Sequence, residues 1–170
     1  MTARMALVGW WFVVACAVVG CGREHAGSGV DMTARALDGD ECGACGMIVR
    51  EQPSPRAQAI HRDGERVFFC SIGEALNYLA TPSPHGAIVA TYVEVLAPDA
   101  NPADDATERR PWVAAERAAY VRGVVRPRVM GEAVLAYATR EQALGAASRF
   151  GGRVATWSQI KSGDAQETEN

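Results

Sequence analysis

The feature that most restricts the fold is an Asp63-Gly64 pair between two strand-like segments, followed directly by a helix start signal. An Asp-Gly pair between such runs is typical of a β-hairpin, here formed by 57–61 and 66–70. Ser71 and Glu74 then make the Ser-x-x-Glu pattern of a helix capping box. The stretch 57–79 is therefore predicted to fold as strand, strand, helix.

A two-residue turn at Asp63-Gly64 also sets the register of the hairpin. Ala57 is then expected opposite Cys70 and His61 opposite Arg66, so that His61 and Cys70 share one face at opposite ends. The helix presents one apolar stripe, formed by Ile72, Ala75, Leu76 and Leu79. Beyond it, the Val, Ile, Thr and Tyr content of 87–96 predicts a third strand.

The second half of the chain repeats this pattern at a distance of 68 residues. Strands are predicted over 118–122, 133–138 and 153–157, with a capping box at Thr139 and Gln142 before the helix. The apolar helix stripe consists of Ala143, Leu144, Ala147 and Phe150. The sequence therefore predicts an α+β fold in which two related strand-strand-helix-strand units pack as a small domain.

The six residues Cys42-Gly43-Ala44-Cys45-Gly46-Met47 hold two thiols and a thioether. Such soft donors favour copper(I), zinc or iron-sulfur clusters over hard cations, and a methionine sulfur favours copper(I) over zinc. If the backbone is extended there, Cys45 and Met47 lie on the same face. The stretch predicts a copper(I) site with Cys45 and Met47 as core ligands and Cys42 as a third.

Two further residues are candidate ligands. Cys70 precedes the first helix, whose N-terminal partial charge favours the thiolate that binds metal; the alternative is a small buried hydrophobic residue. His61 stands beside the hairpin turn, where an exposed strand histidine is the alternative to ligation. Under the 68-residue shift Cys70 falls on Ala138, which predicts that only the first unit carries the site.

The N-terminus predicts export. Arg4 precedes an apolar run without charge over 5–19, which is typical of a secretory signal rather than a membrane span. The run ends in Val18-Val19-Gly20-Cys21, which resembles the lipobox of bacterial lipoproteins, with Cys21 as the lipidated residue; ordinary signal cleavage is the alternative. Cys16 leaves with the signal. With Cys21 lipidated, three cysteines remain for the folded part, Cys42, Cys45 and Cys70. An odd number does not make a disulfide framework.

The chain is predicted to have six parts. They are a lipoprotein signal peptide (1–20), a flexible tether (21–40), a metal-binding unit (41–97), a connector (98–111), a second unit (112–161) and a disordered tail (162–170). Without the signal peptide, 16 basic and 20 acidic residues give a formal charge of −4. No basic stripe is available for nucleic acid.

Several short motifs follow one another in a specific order. They are Cys45-Gly46-Met47 after the lipobox, 53–58, Asp63-Gly64 before Phe68-Phe69-Cys70-Ser71-Ile72-Gly73, Ala119-Tyr120-Val121, Met130-Gly131 and Phe150-Gly151-Gly152-Arg153-Val154. Together they resemble the NosL family, the accessory lipoproteins of nitrous oxide reductase, over 42–160. The resemblance implies a fold similar to organomercurial lyase and places the family's Cys-x-Met pair at Cys45 and Met47. Cys42 and Cys70 are additions to that minimal pattern.

The resemblance also implies what the protein does. It implies a copper(I)-binding metallochaperone, not an enzyme, that helps to supply the copper-sulfur centre of nitrous oxide reductase. A copper-supplying or sulfur-supplying membrane transport system is a further expected partner. The expected location is the periplasmic side of the cell envelope, with a lipid anchor at Cys21. An aspartate directly after the lipidated cysteine is a signal for retention in the inner membrane. This chain has Gly22 at that position, so the outer membrane is the favoured location.

Other functions remain compatible with the cysteines. Cys42 and Cys45 have the Cys-x-x-Cys spacing of thiol-disulfide oxidoreductases, although the thioredoxin-like helix context is missing. A structural zinc site needs four ligands, which Cys42, Cys45, Cys70 and His61 can provide. Met47 is then an ordinary core residue. An organomercurial lyase activity is a weaker option, because it rests on fold analogy alone.

Overall fold

The computed structural model describes residues 29–53, 55–104, 107–126, 129 and 131–163. The predicted signal peptide 1–20 and the predicted lipid-anchor residue Cys21 lie outside these residues, as does 164–170 of the predicted tail. None of the helices in the described part of the chain is long and apolar enough to cross a membrane.

The first unit has the order of elements that its sequence predicts. β1 (Ala57–His61) and β2 (Arg66–Phe69) form an antiparallel hairpin, α1 (Ile72–Leu79) follows, and β3 (Ile88–Glu94) pairs antiparallel with the other side of β1. The predicted apolar stripe of α1 is confirmed, because all four of its residues pack into or against one core. Helix α1 therefore covers one face of the sheet.

The hairpin register differs by one residue from the predicted register. The His61 N–H donates to the Glu65 carbonyl oxygen at 2.8 Å, so the turn has three residues, not two. Gly64 occupies its left-handed position with a φ of 94°, where other residues are strained. Ala57 consequently lies opposite Phe69 and not opposite Cys70. Cys70 follows the end of β2, next to the start of α1.

The strand that directly follows the connector joins the first sheet. β4 (Trp112–Ala114), which the sequence assigns to the second unit, pairs antiparallel with β3 and completes the order β2-β1-β3-β4. Trp112 and Val113 pack against the first core. Burial of these two side chains favours the pairing with β3, since β-branched and aromatic residues suit a half-buried sheet surface.

The second unit repeats the topology of the first. β5 (Ala119–Arg122), β6 (Val134–Tyr137), α2 (Arg140–Phe150) and β7 (Arg153–Ala155) follow in sequence. Their sheet order, β6-β5-β7, matches β2-β1-β3, and every pairing is antiparallel. The predicted α+β class with two related strand-strand-helix-strand units is confirmed.

The buried face of α2 differs from the predicted stripe. Ala143 and Ala146 are fully buried, whereas Leu144 is 49% exposed. The buried face is centred between Ala143 and Ala146, and Leu144 lies outside it because each residue turns the helix by about 100°. Ala147 and Phe150 complete the buried face as predicted, packing partly buried against the second core.

The described part of the chain ends in a helix that the sequence analysis did not predict, and the predicted strand 153–157 overlaps it at Trp157 alone. Trp157 begins α3 (Trp157–Ser162), and Thr156 and Gln159 make both hydrogen bonds of a capping box. The Trp157 ring packs on Tyr120 of β5, with ring centroids 5.6 Å apart. The strand prediction is wrong there because the Thr-x-x-Gln signal, and not the preceding Val, decides the local structure.

Residues 31–40 lie against the first sheet, although the sequence predicts a flexible tether over 21–40. The Arg35 N–H donates to the Gln58 amide oxygen at 3.0 Å, and the Gln58 amide nitrogen donates back to the Arg35 carbonyl at 2.9 Å. Leu37 is buried in the first core. Gln58 is fully buried in β1 and needs such partners, so the folded part begins before residue 41.

The two units meet at the start of α1. A side-chain carbon on Gly73 would lie 2.4 Å from the Glu132 carbonyl oxygen, so the backbone of residue 132 packs directly on the first turn of α1. The Leu96 N–H also donates to the Ala136 carbonyl of β6 at 2.8 Å. The larger of the two core clusters contains residues of both units. The second unit therefore supports the position of α1.

Candidate metal centre

The predicted Cys-x-x-Cys-x-Met stretch forms a closed turn. The Cys42 N–H donates to the Met47 carbonyl and the Gly46 N–H donates to the Cys42 carbonyl, both at 2.8 Å. Gly46 has a φ of 76°, which residues other than glycine rarely adopt. The backbone through Cys45 and Met47 is therefore a turn and not extended, so the condition under which both side chains would lie on one strand face is not met.

The turn is held against the edge of β2. The Gly43 N–H donates to the Phe68 carbonyl at 2.9 Å, and Cys42 forms a parallel bridge with Phe68. A side-chain carbon on Gly43 would lie 2.2 Å from Cγ1 of Val67, so only glycine permits this approach. These contacts bring the turn beside Cys70, which is 25 residues later than Cys45 in the sequence.

Cys70 links β2 to the first turn of α1. Ser71 caps the helix, since its Oγ accepts a hydrogen bond from the Glu74 N–H at 3.1 Å. The Cys70 N–H donates to Cys42 Sγ at 3.4 Å. Glu74, in the first turn of α1, places Oε2 3.5 Å from the same sulfur. The helix start therefore faces the cysteine turn with one thiol and one carboxyl group.

Four side chains converge at this point. The donor atoms of Cys42, Cys45, Cys70 and Glu74 all lie within 4.8 Å of one another, and Cys45 Sγ is 3.6 Å from Cys70 Sγ. Sulfur atoms at about 2.3 Å from a shared ion are roughly 3.7 to 4.6 Å apart, so the three thiols need little movement to bind one metal ion. The donor set is soft and fits copper(I) or zinc.

The three thiols differ in acidity. The hydrogen bond from the Cys70 thiol, supported by backbone N–H groups of Cys70, Ala44 and Cys45, lowers the pKa of Cys42 to about 4 against the opposing effect of burial. The same hydrogen bond, followed by burial, raises the pKa of Cys70. Burial raises the pKa of Cys45. The thiolate at neutral pH is therefore Cys42, and the prediction that the helix N-terminus ionises Cys70 is wrong.

Glu74 is the site residue that the sequence analysis missed. The residue is 6% exposed, and burial followed by the negative charge on Cys42 raises the pKa of its carboxyl group. The sequence analysis assigned Glu74 to the capping box alone. Its spacing four residues after Cys70, within the first turn of a predicted helix, is the signal that points it towards the same site.

The remaining predicted ligands have different surroundings. Met47 is 37% exposed at the end of the cysteine turn, and its role as a ligand stays a prediction. His61 is fully buried, with Nδ1 2.9 Å from the Gly86 carbonyl oxygen and Nε2 3.0 Å from the Tyr78 hydroxyl. The structure does not bring His61 to the thiols, and both of its ring nitrogens have other partners. The alternative from the sequence, an exposed strand histidine, is also wrong, because His61 is fully buried.

Known proteins are similar to this chain in sequence and in fold. A family model described as NosL matches residues 33–164. The copper-binding lipoprotein NosL of Stutzerimonas stutzeri is 30% identical over 162 residues, which cover 91% of this chain and 80% of that protein. The crystal structure of the copper chaperone NosL from Shewanella denitrificans has a TM-score of 0.64 and 25% identity, and the match covers 78% of this chain and 98% of that one. The match to the family model spans most of the chain, and this protein therefore belongs to the NosL family.

Proposed function

We propose that this protein is a copper(I)-binding metallochaperone lipoprotein that delivers copper for assembly of the copper-sulfur centre of nitrous oxide reductase. The observation that carries the proposal is the convergence of three thiols, Cys42, Cys45 and Cys70, from two separate segments of the chain. The similar proteins described as a copper-binding lipoprotein and a copper chaperone support the same metal.

The donor set suits a cargo ion better than a hard cation. Copper(I) is soft and accepts two or three sulfur ligands, and Cys42 already provides a thiolate. Cys45 and Cys70 would complete the set after losing their protons. Met47, at the exposed end of the same turn, would add the thioether that favours copper(I) over zinc.

The exposure of the ligands is unequal, which suits transfer. Cys42 and Cys70 are buried, whereas Cys45 is half-buried and Met47 is 37% exposed. A ligand of the recipient protein would therefore approach the ion from the side of Cys45 and Met47. Cys42 and Cys70 would hold the ion until the recipient has bound it.

The proposed partner and location are those that the resemblance to the family implies. Nitrous oxide reductase is the proposed recipient, and a membrane transport system that supplies copper or sulfur is a further partner. The envelope location agrees with a relative described as a lipoprotein. The proposed anchor is a lipid on Cys21, and the proposed location is the periplasmic side of the envelope, with the outer membrane as the anchoring membrane. The protein would bind and release copper without turning over a substrate.

Zinc is the second candidate cargo, because one observation favours it. Glu74 takes the place that the sequence analysis gave to His61, so that Cys42, Cys45, Cys70 and Glu74 provide the four ligands of a tetrahedral zinc site. A site of this kind would not involve Met47. The contribution of Met47 to binding therefore separates copper(I) from zinc.

The test is an anaerobic titration of the unlipidated protein with copper(I) against a chromophoric competitor, repeated with zinc. We expect tight one-to-one copper(I) binding that Cys45→Ala abolishes and Met47→Ala weakens by about tenfold. Met32→Ala is the matched control, because Met32 is also exposed but lies outside the cysteine turn. Equal affinity for zinc, or binding that is indifferent to Cys45→Ala, would exclude the copper proposal.

Delivery is tested separately with copper-depleted nitrous oxide reductase. Copper transfer from the loaded protein should be faster than from a small-molecule copper(I) complex of the same affinity. Equal rates from both donors would show that the protein binds copper without acting as a chaperone for this enzyme.

A further inference from the structure

Two of the clustered thiols are in direct contact. Cys45 Sγ and Cys70 Sγ are 3.6 Å apart, and all three cysteines of the described chain are free thiols. A disulfide bond needs sulfur atoms about 2.05 Å apart, so the two sulfur atoms would have to approach each other by about 1.5 Å. Cys45 lies in a turn and Cys70 lies at the junction of β2 and α1, so neither is fixed inside a regular element.

The surroundings favour this pair over the Cys-x-x-Cys pair. Cys42 Sγ accepts the Cys70 N–H at 3.4 Å and lies 3.5 Å from the Glu74 carboxyl group, so its sulfur is already engaged. Cys42 is also 4% exposed, whereas Cys45 is half-buried. An external disulfide therefore reaches Cys45 first, and Cys70 is the thiol in contact with it.

We propose that Cys45 and Cys70 form a redox-modification site, at which an external disulfide closes a Cys45–Cys70 bridge and copper(I) and the bridge exclude each other. This proposal rests on the proposed function, because it assumes that copper(I) binds the same thiols. Cys45 attacks one sulfur of the external disulfide as its thiolate, because the ionised Cys42 is only 4% exposed and the external disulfide does not reach it. The attack forms a mixed disulfide on Cys45 and releases one thiol, which takes up the Cys45 proton. Cys70 then attacks Cys45 Sγ and releases the second thiol. Two electrons and two protons pass from the protein to the external disulfide, which is reduced to two thiols.

The bridge and the ion compete for the same sulfur atoms. Oxidation removes two of the three thiol donors, which leaves Cys42 and the exposed Met47 as the sulfur ligands of the site. Bound copper(I) conversely occupies both thiols as thiolates and blocks their attack on a disulfide. A site exposed to an oxidising compartment would therefore need early loading or a reductant to remain able to bind copper.

The experiment uses the reduced protein without its signal peptide, carrying Cys21→Ser, and glutathione disulfide as the oxidant under anaerobic conditions. Free thiols are then blocked with a maleimide and the peptides are identified by mass spectrometry. We expect a Cys45–Cys70 bridge with Cys42 alkylated. Cys42→Ser should still form the bridge, and Cys70→Ser should stop at a mixed disulfide on Cys45. A bridge that involves Cys42, or no bridge at all, overturns the proposal.

Copper distinguishes this proposal from the proposed function. Preloading with one equivalent of copper(I) should slow bridge formation at least about tenfold, because only the unloaded fraction reacts. The bridged protein should in turn lose its copper(I) affinity. If the bridge forms equally fast with copper present, the modification site stands and the proposed copper ligands are wrong. If the bridged protein binds copper as tightly as the reduced protein, the exclusion is wrong.

Discussion

The three clustered cysteines differ in the pKa of their thiols because each thiol has different neighbours. Cys42 receives hydrogen bonds from the Cys70 thiol and backbone, and it is the group that ionises. Cys70 supplies one of those protons and holds it, so its pKa is raised. Cys45 is half-buried beside both sulfurs, and burial raises its pKa. At the scale of the residue, the site is therefore one thiolate with two proton-carrying thiols.

Copper(I) binding is expected to release protons from Cys45 and Cys70 but none from Cys42. The pKa values of Cys45 and Cys70 are raised, so both are protonated at neutral pH, while Cys42, with a pKa of about 4, is ionised. Because the ion displaces these protons, affinity should rise with pH between about 6 and 8, by about tenfold per pH unit for each proton released. The measurement is the competitor titration at several pH values, with proton release followed in weak buffer.

The three cysteines provide their own controls. Cys70→Ser should lower the number of released protons by one, because Cys70 is one of the two thiols that carry a proton. Cys42→Ser should weaken binding and leave the number unchanged. An affinity that does not depend on pH in this range would show that the thiols already bind as thiolates, contrary to the hydrogen bonding around Cys42.

His61 is expected to stabilise the fold without contributing to copper(I) binding. His61→Phe removes both hydrogen bonds of the buried ring, which should cost about 1 to 3 kcal/mol of unfolding free energy. The cost is limited because Gly86 is exposed and the Tyr78 hydroxyl keeps Ser83 Oγ at 3.2 Å. Tyr78→Phe keeps the bond to the Gly86 carbonyl but leaves the buried His61 Nε2 without its hydroxyl partner, and it should cost about 1 kcal/mol or more. Urea unfolding and copper titration of the same samples separate the two effects. A loss of copper affinity in His61→Phe at full stability would make His61 a ligand.

At the scale of the element, the start of α1 unites the site. Its cap residue Ser71 precedes Glu74, which faces the thiols, and Cys70 precedes the cap. Gly73 lies between them in the sequence and allows the backbone of Glu132 to approach within contact distance. The segment 70–74 therefore holds a proposed ligand, a carboxyl group and the contact with the second unit.

Gly73→Ala is expected to destabilise the protein, because its side-chain carbon would lie 2.4 Å from a backbone oxygen of Glu132. The cost should be about 2 kcal/mol or more, as in other overpacked positions. Gly145→Ala is the matched control, since Gly145 lies within α2 with open space around it. That substitution should stabilise the protein by about 0.5 to 1 kcal/mol through helix propensity. Urea unfolding of both variants is the measurement, and equal stability changes would contradict the contact with Glu132.

At the scale of the whole molecule, a buried ion pair ties the connector to the first sheet. Arg56 Nε is 2.6 Å from Glu94 Oε2, and both side chains are 1% exposed. The remaining guanidinium nitrogens donate to backbone carbonyls. These carbonyls belong to Arg50, Gln52, Thr107 and Glu108. Arg56 therefore holds three segments together that are distant in sequence.

Removing one partner of this ion pair is expected to be severe. Arg56→Met leaves the Glu94 carboxylate buried and unpaired, which should cost about 3 to 5 kcal/mol. Replacing both partners in Arg56→Met/Glu94→Leu should recover much of this loss. Arg50→Ala is the surface control, because the Arg50–Asp38 pair is more than half exposed and should contribute less than about 1 kcal/mol. A small effect of Arg56→Met alone would show that the pair is dispensable.

The sequence by itself determined what depends on neighbours in the chain. Asp63-Gly64 specified a hairpin, Ser71 and Thr139 specified two helix starts, and the pattern repeated 68 residues later specified the second unit. The three cysteines of the site were identified because soft donors are recognisable by residue type. Local signals suffice for such features because turns and helix caps are made by residues within a few positions of one another.

Only the tertiary structure decided what depends on contacts between distant segments. The approach of Cys42 and Cys45 to Cys70 requires the turn to dock on β2, and no local pattern encodes that docking. The same holds for the one-residue change in hairpin register, for the pairing of β4 with β3, and for the burial of His61. Packing and the pairing of buried polar groups choose among these arrangements, and both are properties of the assembled core rather than of any single stretch.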